Sequence, residues 1–280
     1  MGDPKDKQTS DRKPFAKKSL GQNFLVDVSY VSKIVSALGL SEGDLVVEIG
    51  PGRGALTGRL LETGAQVAAV EIDRDLSRLL EKEFGGEARF RLVTADFLET
   101  DLRDIVGGRT AKVAANLPYY VSTPILRKLF ANRDLFSELV VMLQKEVAER
   151  ITAAPGDSAR GFLTVLLERG FDAEKLFDVP SGAFRPVPKV ESAVVRLSTK
   201  RSKTDATTDA EFEELASAAF RQKRKTLKNN LGAAGGSLRE KIEKKGGADL
   251  VLEQSGIGPS IRAEALTEED WRSLAEVIFG

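Results

Sequence analysis

The chain has 280 residues, 41% of them hydrophobic and 30% charged, an ordinary globular composition with room for one large domain or two modest ones. It has no cysteine and no histidine, which excludes disulfide frameworks, thiolate nucleophiles, Cys- or His-ligated metal centres and Ser-His-Asp hydrolases. Its 42 Lys/Arg balance 42 Asp/Glu and no apolar run is long enough to span a bilayer, so a cytoplasmic protein is expected, working through carboxylates, amides, aromatics, lysine or a bound cofactor.

Residues 1–16 are polar and apolar-poor and are expected to form a mobile basic tail. Leu45-Val46-Val47-Glu48-Ile49 reads as a buried parallel strand, because its apolar run is almost continuous. A turn, Gly50-Pro51-Gly52-Arg53-Gly54, leads into a helix from Ala55 to Leu61 that stops near Gly64. A second strand, Val67–Val70, ends in Glu71-Ile72-Asp73, and helical spacing of Leu76, Leu79 and Leu80 follows to about Phe84. Arg89–Val93 is a third strand leading to Asp96-Phe97, and Val113–Ala115 a fourth ending at Asn116. Leu139–Leu143 is a fifth, followed by a helix over 145–152 that Pro155-Gly156 breaks and by another over 163–168. Further strands are predicted near 173–179 and 192–197. Strands alternating with helices predict an α/β, doubly wound sheet over 17–200. Residues 200–209 are linker-like, and 209–280 are helical with glycine breaks, predicting a small C-terminal all-α domain.

Charge is unevenly distributed within this neutral total. Residues 221–245 carry nine Lys/Arg against two Glu, and 184–203 carry six against one. A single basic run is usually a solvated surface; two in the same half of the chain form a footprint for phosphate.

Gly50-x-Gly52-x-Gly54, at a strand-to-helix turn, lets a ligand approach the backbone, and Gly50-x-Gly52-x-x-Ala55 also satisfies a dinucleotide fingerprint. Glu71 closes the second strand 17 residues beyond Gly54, where a carboxylate can accept from a ribose diol. NAD-binding and S-adenosylmethionine-binding sheets share that feature, and the plainer alternative is a surface carboxylate beside Arg74. Asp96 with Phe97 suits an adenine amino group under an apolar cover, though Asp96 also suits a helix cap for 97–105.

The tetrad Asn116-Leu117-Pro118-Tyr119 discriminates between these cofactors. A nucleobase amine is a poor nucleophile because its lone pair is delocalised into the ring. A side-chain amide oxygen and a neighbouring carbonyl can accept its two N–H bonds and aim the lone pair at an electrophile, while tyrosine stacks on a base taken out of its own stack. The alternative is a plain turn, since Asn and Pro are turn formers. A dehydrogenase has no use for this tetrad and lacks a histidine partner here, so the residues imply amino-group methyl transfer to adenine.

At this point the chain resembles the KsgA/RsmA family of small-subunit (16S) rRNA adenine-N6,N6-dimethyltransferases. The resemblance runs from Lys17 to the C-terminus. It rests on Ser19-Leu20-Gly21-Gln22-Asn23-Phe24-Leu25, Glu48-Ile49-Gly50-Pro51-Gly52-Arg53-Gly54, Val70-Glu71-Ile72-Asp73 and Ala95-Asp96-Phe97-Leu98. Further along come Asn116–Tyr119 with Ser122-Thr123-Pro124, Gln144–Arg150, Phe184-Arg185-Pro186-x-Pro188-Lys189-Val190-x-Ser192, Arg221-x-Lys223-Arg224-Lys225-x-Leu227 and Arg262-Ala263-Glu264-x-Leu266.

The resemblance implies a Rossmann-like methyltransferase sheet, a C-terminal helical rRNA-binding domain, S-adenosylmethionine as donor and the small ribosomal subunit as partner. It implies cofactor contacts by Gln22, Asn23, Leu25, Gly50, Gly52, Glu71, Ile72, Asp96, Phe97 and Asn116. Asn116, Leu117 and Tyr119 are then catalytic, with Phe184 on the other face of the target base. Arg185, Lys189, Arg221, Lys223, Arg224 and Lys225 are expected to bind RNA. The expected reaction dimethylates two adjacent adenosines in the 3′-terminal hairpin loop by direct displacement, without a strong base. Two alternatives stand beside it: a large-subunit adenine methyltransferase of macrolide-resistance type, and a non-catalytic ribosome-assembly protein. Nothing in the sequence demands more than a monomer. Two departures from the family pattern are the zero net charge and the bulky Arg160-Gly161-Phe162-Leu163-Thr164 stretch.

Overall fold

A computed structural model describes Lys17 and residues 21–200 and 207–280. The tail expected at 1–16, Ser19-Leu20 of the first motif, and Arg201 and Lys203 of the second basic run lie outside the described residues.

The elements run β1 (Phe24–Leu25), α1 (Val28–Ala37), β2 (Leu45–Ile49), α2 (Ala55–Glu62), β3 (Gln66–Glu71), α3 (Arg74–Phe84), β4 (Phe90–Thr94), α4 (Leu102–Val106), β5 (Ala111–Asn116) and α5 (Ser122–Ala131). They continue with β6 (Phe136–Gln144), α6 (Lys145–Ile151), α7 (Phe162–Gly170), β7 (Phe171–Val179), β8 (Phe184–Arg185) and β9 (Ser192–Thr199). The helices α8 (Asp209–Ala219), α9 (Leu227–Gly232), α10 (Gly236–Lys244), α11 (Ala248–Gln254) and α12 (Glu268–Phe279) complete the chain.

Seven strands form one sheet in the order β4-β3-β2-β5-β6-β9-β7. The first five are parallel, and β9 lies antiparallel between β6 and β7. All five residues of β2 are buried: Val47 and Ile49 enter the cluster under α4–α7, and Val46 enters the one under α1 and α2. Burial on both faces is why such strands read as continuous apolar runs rather than as alternation. A third cluster, built on Phe212, Leu215, Trp271 and Leu274, joins the C-terminal helices to one another and takes Val165 from α7. This is the α/β, doubly wound sheet with a C-terminal helical region that the sequence predicts.

The bulky stretch at 160–164 has a role in this packing. Arg160 is fully buried and donates to the Ala153 carbonyl at 3.1 Å, to the Leu266 carbonyl at 3.3 Å and to both carboxylate oxygens of Glu168 at 3.1 and 2.5 Å. It thereby ties the segment after α6, helix α7 and the approach to α12 together.

Three features escape the sequence reading. Helix α1 starts at Asp27, whose carboxylate accepts the Ser29 N–H at 2.9 Å, and buries Val31, Ile34 and Val35. Helix α5 carries Pro124 in its first turn, where the missing N–H costs nothing, and buries Ile125, Leu126, Leu129 and Phe130. The two-residue strands β1 and β8 pair antiparallel and are too short to signal themselves.

Strand order reverses at β2, with β3 and β4 on one side and β5 on the other. At such a reversal the connections leave the two neighbouring strands towards opposite faces of the sheet, and a crevice opens at their carboxyl ends. Gly50, Glu71, Asp96 and Asn116 stand at or just beyond those ends.

Candidate active site

An open cleft occupies this crevice. Its lining includes Gln22, Asn23, Leu25, Gly50, Gly52, Glu71, Ile72, Asp96, Phe97, Asn116, Leu117 and Tyr119. The sheet thus brings together residues separated by about a hundred positions.

The turn after β2 is built from glycines at positive φ: +63° at Gly50, +61° at Gly52 and +79° at Gly54. Side chains rarely adopt that conformation, and a Cβ at Gly54 would lie 2.5 Å from the Phe84 ring. Glu71 locks the turn to β3. Its Oε2 accepts the Gly52 N–H at 3.1 Å and its Oε1 the Asp73 N–H at 2.9 Å. Burial raises its pKa, against the lowering effect of these backbone donors. Ile72 is 48% exposed and offers an apolar face beside it.

Asp96 satisfies both readings of the sequence. One oxygen accepts the Leu98 N–H at 2.8 Å and so caps the following turn, while the residue also lines the cleft. Phe97 beside it is 5% exposed.

On the opposite wall, Asn116 donates through Nδ2 to the Asn23 carbonyl at 3.1 Å. Fixing the amide nitrogen in this way leaves Oδ1 as an acceptor for a partner in the cleft. The Leu117 N–H donates to the Met142 carbonyl at 3.1 Å, which pins the tetrad to β6. The Tyr119 hydroxyl is hydrogen-bonded to the buried Ser192 Oγ at 2.8 Å, and burial raises its pKa, so the ring is held as a neutral phenol. Tyr120 lies at the same cleft and is 57% exposed.

The N-terminal segment closes one end. Gln22 spends its amide there, donating to Asp73 at 3.0 Å and accepting the Lys17 N–H at 2.7 Å. The Lys17 ammonium spans Asp73 at 2.7 Å and Asp75 at 2.8 Å. Asn23 and Leu25 follow directly, so this latch sets where they stand.

Phe184 is a correction. It pairs with Leu25 in the β1–β8 ladder, is fully buried, and packs with Val31, Val179 and Val194 in the core. Its ring is not among the residues lining the cleft, so in this arrangement it presents no face to a base. The motif match places its backbone near the site, but packing takes its side chain away.

Arg185 and Lys189 are exposed on the segment that follows. Arg221, Lys223, Arg224 and Lys225 are exposed between α8 and α9. Arg221 donates to the Ala233 carbonyl at 3.1 Å and Lys223 to the Ser158 carbonyl. Among the described residues none of these six forms an ion pair with a carboxylate, which leaves their charge available to an anion.

Sequence reasoning assigned no role to Glu48, Lys17 or Ser192. The signal for Glu48 was present, since it is a carboxylate inside an otherwise apolar strand. Ser192 and Lys17 act through hydrogen bonds across 73 and 56 residues of chain, which no local pattern reports.

The sequence profile of the family described as ribosomal RNA adenine dimethylase matches residues 15–278. A "Ribosomal RNA small subunit methyltransferase A" from Geobacter metallireducens is 41% identical, covering 94% of this chain and 96% of its own length. The protein of the same name from Lactococcus lactis subsp. lactis is also 41% identical, over 94% and 90% of the two chains. Among solved structures, a dimethyladenosine transferase from Plasmodium falciparum superposes with a TM-score of 0.78 at 30% identity, covering 90% of this chain and 95% of its own. The 23S rRNA methyltransferase ErmE superposes with a TM-score of 0.69 at 26% identity, covering 91% and 99%.

Proposed function

This chain belongs to the ribosomal RNA adenine dimethylase family, and we propose that its cleft binds S-adenosylmethionine and N6-dimethylates adenosines of small-subunit rRNA. The substrate site is two adjacent adenosines in the 3′-terminal hairpin loop, methylated late in small-subunit assembly. Residues 17–200 form the catalytic unit, and 209–280 a helical unit that helps hold the RNA.

One observation carries the reading: the Asn116 amide is anchored through its nitrogen to the Asn23 carbonyl, beside Tyr119 and in the same cleft as Glu71 and Asp96. Two nucleoside-binding walls therefore face each other. Glu71 accepts from ribose hydroxyls and Asp96 from an adenine amine, while Ile72 and Phe97 cover apolar surface. The carboxyl groups of Glu71 and Asp96 in the lining fit a nucleoside that carries positive charge. Bound there, S-adenosylmethionine supplies a methyl group on a sulfonium, an electrophile that leaves a neutral thioether.

Asn116 Oδ1 and the Leu117 carbonyl accept the two N–H bonds of the target amine, and Tyr119 stacks on its ring. Their contribution is positioning: a fixed amine aligned with the methyl carbon turns a bimolecular displacement into an effectively intramolecular one. The surplus proton becomes acidic only after the new C–N bond forms, so it passes to water without a strong base. This accords with a chain that has no histidine. A second transfer requires room for the monomethylated base beside Tyr119. Arg185, Lys189, Arg221, Lys223, Arg224 and Lys225 hold phosphates of the RNA.

Asn116→Ala tests this directly. Turnover should fall by at least about 100-fold, with S-adenosylmethionine binding by calorimetry only modestly weaker. Unchanged turnover would sink the proposed mechanism.

A further inference from the structure

Glu48 is 1% exposed, stands between Val47 and Ile49 at the end of β2, and lines the cleft beneath the glycine turn. Its two oxygens differ. Oε2 accepts the Thr57 hydroxyl of α2 at 2.7 Å, whereas Oε1 is buried without a hydrogen-bond partner. Its neighbours in the sheet are Ala69 of β3 and Ala114 of β5, which offer neither donor side chain nor charge. Glu71, at the end of β3, is the charged group that bears on it, and it repels a second anion. Arg53 and Asp96 also line the cleft, with the Arg53 guanidinium lying over the Phe24 ring at 4.3 Å. Burial above all, opposed by the Thr57 hydroxyl and reinforced by Glu71, pushes the Glu48 carboxyl up to about 8.

A buried carboxylate with one unpartnered oxygen and an anionic neighbour is unfavourable, and its neutral acid is not. A ligand bringing positive charge into the cleft reverses that balance. The methyl donor carries a sulfonium; the product that remains after transfer is an uncharged thioether.

We propose that Glu48 senses the charge of the ligand, giving up its proton when the sulfonium donor binds and recovering one once only the thioether remains. The inference rests on the reading of the cleft as the S-adenosylmethionine site and adds a means of telling donor from spent product. On binding, the carboxyl O–H breaks and its proton goes to water, leaving an anion that offsets the sulfonium. After transfer the sulfur is neutral, and the anion, again unpaired, takes a proton from water, which favours product release. Binding the donor then depends on pH. Its affinity rises by about tenfold per pH unit up to pH 8 and flattens above it, because ionisation is already complete in the free protein. Affinity for the thioether product is flat over the same range.

The test is calorimetric titration of the full chain with S-adenosylmethionine and with S-adenosylhomocysteine, at pH 7 in buffers of different ionisation enthalpy. Wild type should release a large fraction of a proton per donor bound, because burial holds the Glu48 carboxyl up to about 8, and none with the product. Glu48→Gln keeps an acceptor for Thr57 and should bind both ligands with no proton release and a smaller donor-to-product affinity ratio. A pH series of donor Kd on wild type alone tests the same point should the variant not fold. Donor binding without proton release, or equal release from Glu48→Gln, overturns the inference and leaves the cofactor site standing. Failure of wild type to bind either ligand overturns both.

Discussion

Glu71 accepts two backbone N–H bonds from a nearly buried position, so its effects on binding and on folding have to be separated. Glu71→Ala should raise the Kd for S-adenosylmethionine by about tenfold or more, since a hydrogen bond to a charged acceptor contributes about 1.5–3 kcal/mol. It should also lower the melting temperature, because the Gly52 and Asp73 N–H groups lose their acceptor. Glu71→Gln retains an acceptor and should recover more of the stability than of the binding; an unaltered Kd in the alanine variant would count against the ribose role. Glu48 makes a pH prediction of opposite kind. Its pKa rises from 4.5 to about 8 on folding, so its neutral form favours the folded state fully below pH 4.5, and this contribution is lost as pH rises towards 8. The melting temperature of the ligand-free protein should therefore fall between pH 5 and 8 more steeply in wild type than in Glu48→Gln. Legibility at this scale was uneven. Gly50, Glu71, Asp96 and Asn116 are readable as cleft-lining positions because each stands where an apolar run breaks off, which marks the carboxyl end of a strand. Phe184 is not brought to the cleft, since a motif shows where a backbone goes but not which way a ring packs.

At the scale of elements, the inner parallel strands β2, β3, β5 and β6 are legible because both their faces are covered and their middles are almost unbroken apolar runs. Helix α5 was not, because Pro124 looks like a breaker unless the helix start is already known. Arg160 reads in the sequence only as bulk, because Ala153 and Leu266 accept through carbonyls that no side-chain pattern reports. Removing one member of a buried, hydrogen-bonded ion pair costs about 3–5 kcal/mol, and Glu168 is partly exposed, so the lower end applies. Arg160→Ala should thus lower the denaturant midpoint by the equivalent of about 3 kcal/mol. Activity per folded molecule should be retained, because Arg160 does not line the cleft. A variant as stable as wild type would remove the buckle role assigned to this residue.

For the whole molecule, zero net charge conceals a segregated surface. Acidic side chains gather in the cleft and at the start of α12, while Arg221, Lys223, Arg224 and Lys225 stand exposed without carboxylate partners among the described residues. Reversing Arg221, Lys223 and Arg224 to Glu should weaken RNA binding and flatten its salt dependence by about two to three units of log–log slope, as expected for three lost phosphate contacts. Filter binding across salt concentrations measures this, and an unchanged slope would move the RNA surface elsewhere. The central claim is most directly tested by tritiated methyl transfer from S-adenosylmethionine to undermethylated small subunits and, separately, to large subunits, with nucleosides resolved after digestion. N6,N6-dimethyladenosine is expected from small subunits and none from large; label confined to large subunits, or found in neither, would contradict the proposed function.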